Sequence, residues 1–112
     1  MQSVNWEAAR EYVGGDEDLL RELLKVFLDE CPRWMAELDR AIATSDATAV
    51  QRTAHKFKGA LVNFGAETAG AAAAQLESLG KTGNLSGVDA KTSALRHEVD
   101  RVLPAVREMA GS

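Results

Sequence analysis

A chain of 112 residues, 46% apolar and with a formal charge of −4, has enough apolar surface for one core and is expected to form a single domain over residues 1–112. The acidic balance argues against nucleic acid as a partner, since phosphate-backbone binding shows as a basic surplus or a basic face. No apolar run reaches the roughly eighteen residues of a membrane span, Met1-Gln2-Ser3-Val4-Asn5-Trp6 has no secretory-signal pattern, and Cys31 with two distant histidines gives neither disulfide nor metal-ligand spacing. These absences lead us to expect a cytoplasmic protein with no membrane partner and no metal site.

In chain order the sequence reads as helix after helix. Val4, Ala8, Ala9 and Tyr12 recur at helical spacing in a short first segment that Gly14-Gly15 ends. Such a segment is too short to be stable alone and should pack on something. Asp16 is placed to cap the next helix, with Glu17 and Asp18 where the helix dipole favours negative charge. From there Leu20, Leu23, Phe27, Cys31, Trp34, Leu38 and Ile42 mark one face through about six turns. That register runs through Pro32 unbroken, which predicts one continuous, kinked helix despite a local cost of about 3 kcal/mol.

Thr44-Ser45-Asp46 breaks the pattern and supplies capping oxygens for a third segment. Its apolar line is Ala47, Val50, Ala54, Phe57, Leu61 and Phe64, with Gly65 as its C-terminal stop. The following segment is small-faced. Ala69, Ala72, Leu76 and Leu79 form its core line, flanked by Ala71, Ala73 and Ala74, and small side chains allow close approach to the helix before it. After Gly80-Lys81-Thr82-Gly83-Asn84, Ser86 is read as the cap of a last helix, with Asp89 three residues on. The line there is Val88, Leu95, Val99, Val102 and Val106, and Pro104 marks a kink or an early stop. No strand alternation or internal repeat is present. Four long amphipathic segments on short turns predict an all-α fold, an antiparallel up-down-up-down four-helix bundle with the short extra N-terminal helix over one end. Trp6, Tyr12, Phe27 and Trp34 are read as packing residues.

The helical wheel places His55. At about 100° per residue it points roughly 140° from the line between Ala47 and Phe64, so it is expected to be exposed. Lys58 lies about 60° round from it, within reach of a group carried on the imidazole. Gly59 points outward too, where helix packing cannot account for an interior glycine that costs about 1 kcal/mol relative to alanine. A visitor that must approach the backbone beside His55 would account for it. Val62 adds an apolar contact to the same stripe, Gln51 and Arg52 flank it on the preceding turn, and Lys56 is the next residue. An exposed neutral imidazole is a nucleophile toward activated phosphorus, and a nearby ammonium can offset the phosphoryl charge. The positions one turn either side of His55 are Gln51, Arg52, Lys58 and Gly59, none a carboxylate, which argues against a triad-type hydrolase. His97 has none of these neighbours and is read as a surface residue. Gly80-Lys81-Thr82 matches the tail of a phosphate-binding loop, but Gln75 stands where its first glycine is needed and a helix precedes it.

The pattern Ala54-His55-Lys56-Phe57-Lys58-Gly59-Ala60 through Phe64-Gly65-Ala66 resembles the signature of histidine-containing phosphotransfer domains, the HPt family of bacterial and eukaryotic phosphorelays. Gly14-Gly15-Asp16-Glu17 and Leu76-Glu77-Ser78-Leu79-Gly80-Lys81-Thr82-Gly83 are similar to the flanking family stretches, so nearly the whole chain is covered. The resemblance implies that His55 takes a phosphoryl group from the phospho-aspartate of one response-regulator receiver domain and passes it to the aspartate of another, with a hybrid sensor kinase upstream. It implies that the receiver brings the Mg²⁺, so that the chain is a phosphocarrier with no cofactor of its own. It further implies that Lys58 steadies the phosphoryl charge, that Gly59 clears space for the receiver, and that Glu77 and Lys81 on the neighbouring helix border the histidine. Glu77 stands where the family often has glutamine or another polar residue.

Two other readings stand beside this one. One is a sensor kinase's dimerisation and phosphoacceptor module, disfavoured because Lys56 rather than an acid follows His55. The other is a helical adaptor whose histidine is never phosphorylated. A monomer is expected, because one bundle needs one such histidine, and the start at Met1 with an end soon after the last helix favours a stand-alone chain.

Overall fold

The computed structural model describes residues 4–111. Met1, on which the expectation of a stand-alone chain partly rests, lies outside them. Five helices follow in order: α1 Trp6–Tyr12, α2 Glu17–Ala43, α3 Ala47–Asn63, α4 Glu67–Thr82 and α5 Val88–Ala110. No strand occurs among the described residues. The long helices form the antiparallel bundle that the sequence predicts: α2 packs on α3 and α5, and α4 packs on α3 and α5. No helix is long and apolar enough to cross a membrane among the described residues.

Capping chemistry sets most of the boundaries. Asp16 accepts from the Leu19 N–H at 3.0 Å and Asp46 from the Ala49 N–H at 3.0 Å, each satisfying one of the free donors of a first helical turn. Gly65 ends α3 in the left-handed conformation, φ +71°, with the Ala66 N–H returning to the Leu61 carbonyl at 2.9 Å. Gly65 also meets the N-terminal segment, since its carbonyl accepts from the Asn5 N–H at 3.0 Å. This hydrogen bond ties α1 over the turn between α3 and α4, and α1 packs on both α2 and α3. The arrangement covers the end of the bundle where α2, at 27 residues, outruns the 17-residue α3.

The core is continuous. Leu20, Leu24, Phe27, Leu38, Val50, Phe57, Leu61, Leu76, Leu95, Val102 and Val106 are fully buried or nearly so. Edge-to-face rings link the helices, with Phe27 on Phe64 at 5.5 Å and Trp34 on Phe57 at 5.3 Å between centroids. The predicted lines of α2, α3 and α5 all lie on this side, and Leu24 and Ala41 widen that of α2.

Two expectations are corrected and a third is narrowed. Tyr12 is 57% exposed, because α1 stops at that residue and the chain turns Val13 inward instead. Ser86 does not cap α5. Gly87, at φ +78°, occupies that position, while the Ser86 N–H is taken by the Asn84 side chain at 3.0 Å. Of the two outcomes expected at Pro104, a kink or an early stop, the early stop does not occur: α5 continues to Ala110, and the proline is solvent-exposed, so the carbonyl left without its N–H partner can turn to water. Pro32 likewise sits exposed inside the unbroken α2.

The closest helix pair is α3 with α4, and glycine makes it possible. A Cβ on Gly80 would lie 2.6 Å from the Gln51 backbone nitrogen and 2.9 Å from the Ala47 carbonyl oxygen. Gly70 similarly accommodates Val62, whose Cγ2 would sit 3.0 Å from an added Cβ. Gly59 is the opposite case, with nothing within 4 Å. Gly80→Ala is therefore expected to lower unfolding stability by about 1–3 kcal/mol, whereas Gly59→Ala should raise it by up to about 1 kcal/mol. Urea unfolding of the two variants checks both, and a stable Gly80→Ala protein would contradict the close approach.

Candidate functional site

The α3–α4 contact carries the site. Antiparallel register places Gln51 against Gly80 and, one turn along, His55 against Glu77. The Nδ1 of His55 lies 2.8 Å from Oε2 of Glu77, and the Nζ of Lys58 lies 2.6 Å from Oε1 of the same carboxylate. One carboxylate thus holds both residues singled out on α3. Their exposures differ in a useful way: the side chain of Glu77 is 8% exposed, that of Lys58 34% and that of His55 66%. The anion is buried at the base, while the imidazole reaches solvent.

Lys58 holds the Glu77 carboxyl below the usual glutamate value; burial opposes this, and the hydrogen bond from His55 adds to the lowering. An ionised carboxylate only accepts, so the proton between the two side chains belongs to Nδ1. In the neutral ring the lone pair then sits on Nε2, the nitrogen turned away from Glu77. The expectation that no carboxylate lies within one helical turn of His55 concerned α3 alone. It holds within α3, but α4 supplies Glu77 across the interface. Among the described residues no hydroxyl or thiol hydrogen-bonds to His55, so the third member of a hydrolytic triad is missing from this pair.

The other predicted residues divide between two sides. Gly59 is open and Val62 is 58% exposed, so both lie on the outward stripe with His55. Lys81 is exposed one turn beyond Glu77, and Gln51 is half-buried under the Gly80 contact. Lys56 leans away toward α2, where its Nζ meets Glu37 at 3.1 Å. Arg52 is exposed on that same side, over a groove of ≈400 Å³ shared with Arg40, Thr44 and Asp46. His97 is exposed on α5, which does not pack on α3.

Two features were not anticipated. One is the Glu37–Lys56 pair, since nothing in the spacing of α2 pointed to Glu37. The other is an apolar hollow of ≈150 Å³ beside the outward stripe, lined by Tyr12, Leu23, Val26, Trp34, Ala60 and Phe64 among others. Val26 is 54% exposed, and an apolar residue off the core line of α2 was the available signal. Cys31 is buried, and that burial pushes its thiol up, with Asp100 adding and Arg107 opposing, so it is no candidate nucleophile. Among the described residues, no three His, Cys, Asp or Glu side chains gather where they could hold a metal ion.

The model of the Hpt domain family matches residues 22–105, three quarters of the chain. The chain belongs to the Hpt domain family. Its fold is similar to the crystal structure of histidine-containing phosphotransfer protein B (HptB) from Pseudomonas aeruginosa PAO1, with a TM-score of 0.87 at 24% sequence identity, over 97% of this chain and 95% of that one. No curated protein matches the sequence.

A pH dependence follows from Glu77. With its folded value lowered, its contribution to stability is complete above the ordinary glutamate value of about 4.3 and is lost as the pH falls through the lowered one. The stability difference between the native chain and Glu77→Gln, measured by urea unfolding from pH 7 to 3, should therefore shift against the native chain below about pH 4.3. A difference constant across that range would contradict the ion pairs.

Proposed function

We propose that the chain is a phosphorelay intermediate in which His55 accepts a phosphoryl group from the phospho-aspartate of one receiver domain and passes it to the aspartate of another. The observation that carries this reading is an exposed imidazole held at Nδ1 by a buried carboxylate, with Lys58 beside it and open space over Gly59. Membership of the Hpt domain family supports it, as does the similarity to the P. aeruginosa histidine-containing phosphotransfer protein.

The step is a displacement at phosphorus. The Nε2 lone pair forms the N–P bond, the P–O bond to the donor aspartate breaks, and its electron pair leaves on the aspartate oxygen. The proton stays on Nδ1, hydrogen-bonded to the Glu77 carboxylate, so the ring becomes cationic as the phosphoryl group arrives. Lys58 can swing from Glu77 to the phosphoryl oxygens and offset their charge. Gly59 leaves room for the incoming loop. Val62 offers apolar contact, as does the hollow around Tyr12 and Val26, and Gln51, Arg52, Lys56 and Lys81 form the rim. The Mg²⁺ of the reaction belongs to the receiver, and the chain acts as a carrier rather than as an enzyme. We take residues 1–112 to be one domain that works as a monomer, supplied by a hybrid sensor kinase.

Mixing the chain with a receiver domain phosphorylated by acetyl phosphate should place an acid-labile, base-stable phosphate on it, and His55→Gln should abolish the label. Label that survives in His55→Gln would overturn the assignment, and self-labelling from ATP alone would favour the kinase module. Gly59→Gln should keep the fold and slow transfer by at least about tenfold, the loss expected when a reacting group is displaced by an ångström or less.

A further inference from the structure

We infer that the charge on Glu77 sets the lifetime of the phosphorylated state, by holding the proton on Nδ1 of phosphorylated His55 and so keeping the N–P bond in its labile form to higher pH. The inference rests on the proposed phosphorylation of His55. It concerns a different property, how readily the phosphoryl group leaves.

The chemistry turns on the leaving group. When an acceptor oxygen attacks phosphorus, the N–P bond breaks and its electron pair returns to Nε2. If Nδ1 carries a proton, the departing ring is neutral imidazole; without that proton it departs as the far more basic imidazolate. Whatever keeps the proton on Nδ1 therefore keeps the bond easy to break. Glu77 is placed to do so: its carboxylate lies 2.8 Å from Nδ1 and is buried. Loss of the proton would leave a buried anion facing a ring lone pair with no donor between them. An uncharged glutamine amide in the same place can hydrogen-bond to the ring but supplies no countercharge.

The surrounding charges sharpen the effect. Lys58 shares Glu77 at 2.6 Å and damps its field on the ring. Once a phosphoryl group is present, the half-exposed ammonium is drawn toward it, and the cationic ring becomes the main partner left to Glu77. Elsewhere on α3, Arg52 lies one turn before His55 and exposed, and Lys56 is turned to Glu37 of α2. On α4 the exposed Lys81 follows Glu77 by one turn. The helix α1 meets α3 near Gly65, about 15 Å along the axis from His55, and α5 does not pack on α3. Glu77 is therefore the anion in direct contact with the ring.

The full chain carrying His97→Gln, so that one imidazole remains, can be loaded with phosphoramidate. In that reaction the Nε2 lone pair takes the phosphoryl group and ammonia leaves with the electrons of the old P–N bond. Loss of phosphate is then followed by ³¹P NMR from pH 5 to 10, with circular dichroism as the check on folding. The rate should step from fast to slow as the pH rises. With Glu77→Gln the step should fall about one pH unit lower, so that between the two midpoints the native site sheds phosphate up to about tenfold faster. Lys58→Met, which leaves Glu77 to act on the ring alone, should move the step the opposite way. Coincident steps in the native site and both variants, or steps shifted in the reverse order, would overturn the inference. Loading by phosphoramidate without loading from a phosphorylated receiver would instead overturn the proposed function and leave this inference standing on its own result.

Discussion

Everything at the site depends on how closely α4 can lie against α3. The missing side chain of Gly80 sets that distance, since even a methyl group there would collide with the backbone of Gln51 and Ala47. Because the helices run antiparallel, the same contact fixes the register one turn away and brings the Glu77 carboxylate to His55 and Lys58. A packing constraint in the alanine-rich face of α4 thus becomes a chemical one: it decides which ring nitrogen is tied down and which is free.

The helix α3 serves two purposes at once. Its inner side, Val50, Ala54, Phe57 and Leu61, is fully buried, and ring contacts from Phe57 and from Phe64, just past its end, anchor it to α2. Its outer side carries His55, Gly59 and Val62 with little over them. The segment contains Arg52, Lys56 and Lys58 and no acid, in a chain of net charge −4. Two of these cations meet carboxylates from the flanking helices, Lys56 with Glu37 and Lys58 with Glu77. The cost of burying Glu77 is offset by its contacts with Lys58 and His55, and the same contacts orient the imidazole.

Much of this was legible in the sequence, for identifiable reasons. The core lines of α2, α3 and α5 run for several turns, so their periodicity left little ambiguity. Asp16, Asp46 and Gly65 announced boundaries through side-chain chemistry specific to those positions. The outward placement of His55 and Gly59 followed from the same wheel. Where the reading failed, the local signal was short or the deciding partner lay elsewhere in the chain. The seven-residue α1 gives too few turns to fix a face, so Tyr12 was placed inside when Val13 is. Ser86 competes with a glycine that reaches a positive φ without strain, and the glycine takes the capping position. A proline on a solvent-facing side of a well-packed helix does not end it, as Pro104 shows. The Glu77–His55 contact joins residues 22 apart in sequence. Periodicity within one helix carries no information on register between two, so only family resemblance pointed to that border.

All of this chemistry turns on which nitrogen of His55 carries the phosphoryl group. Phosphorylating the ¹⁵N-labelled chain from a receiver domain and reading the phosphorus–nitrogen couplings by NMR answers this directly. Coupling to Nε2 of His55, with a proton still on Nδ1, is the predicted result. Phosphorus bonded to Nδ1, which would require the ring to break from Glu77, would contradict it.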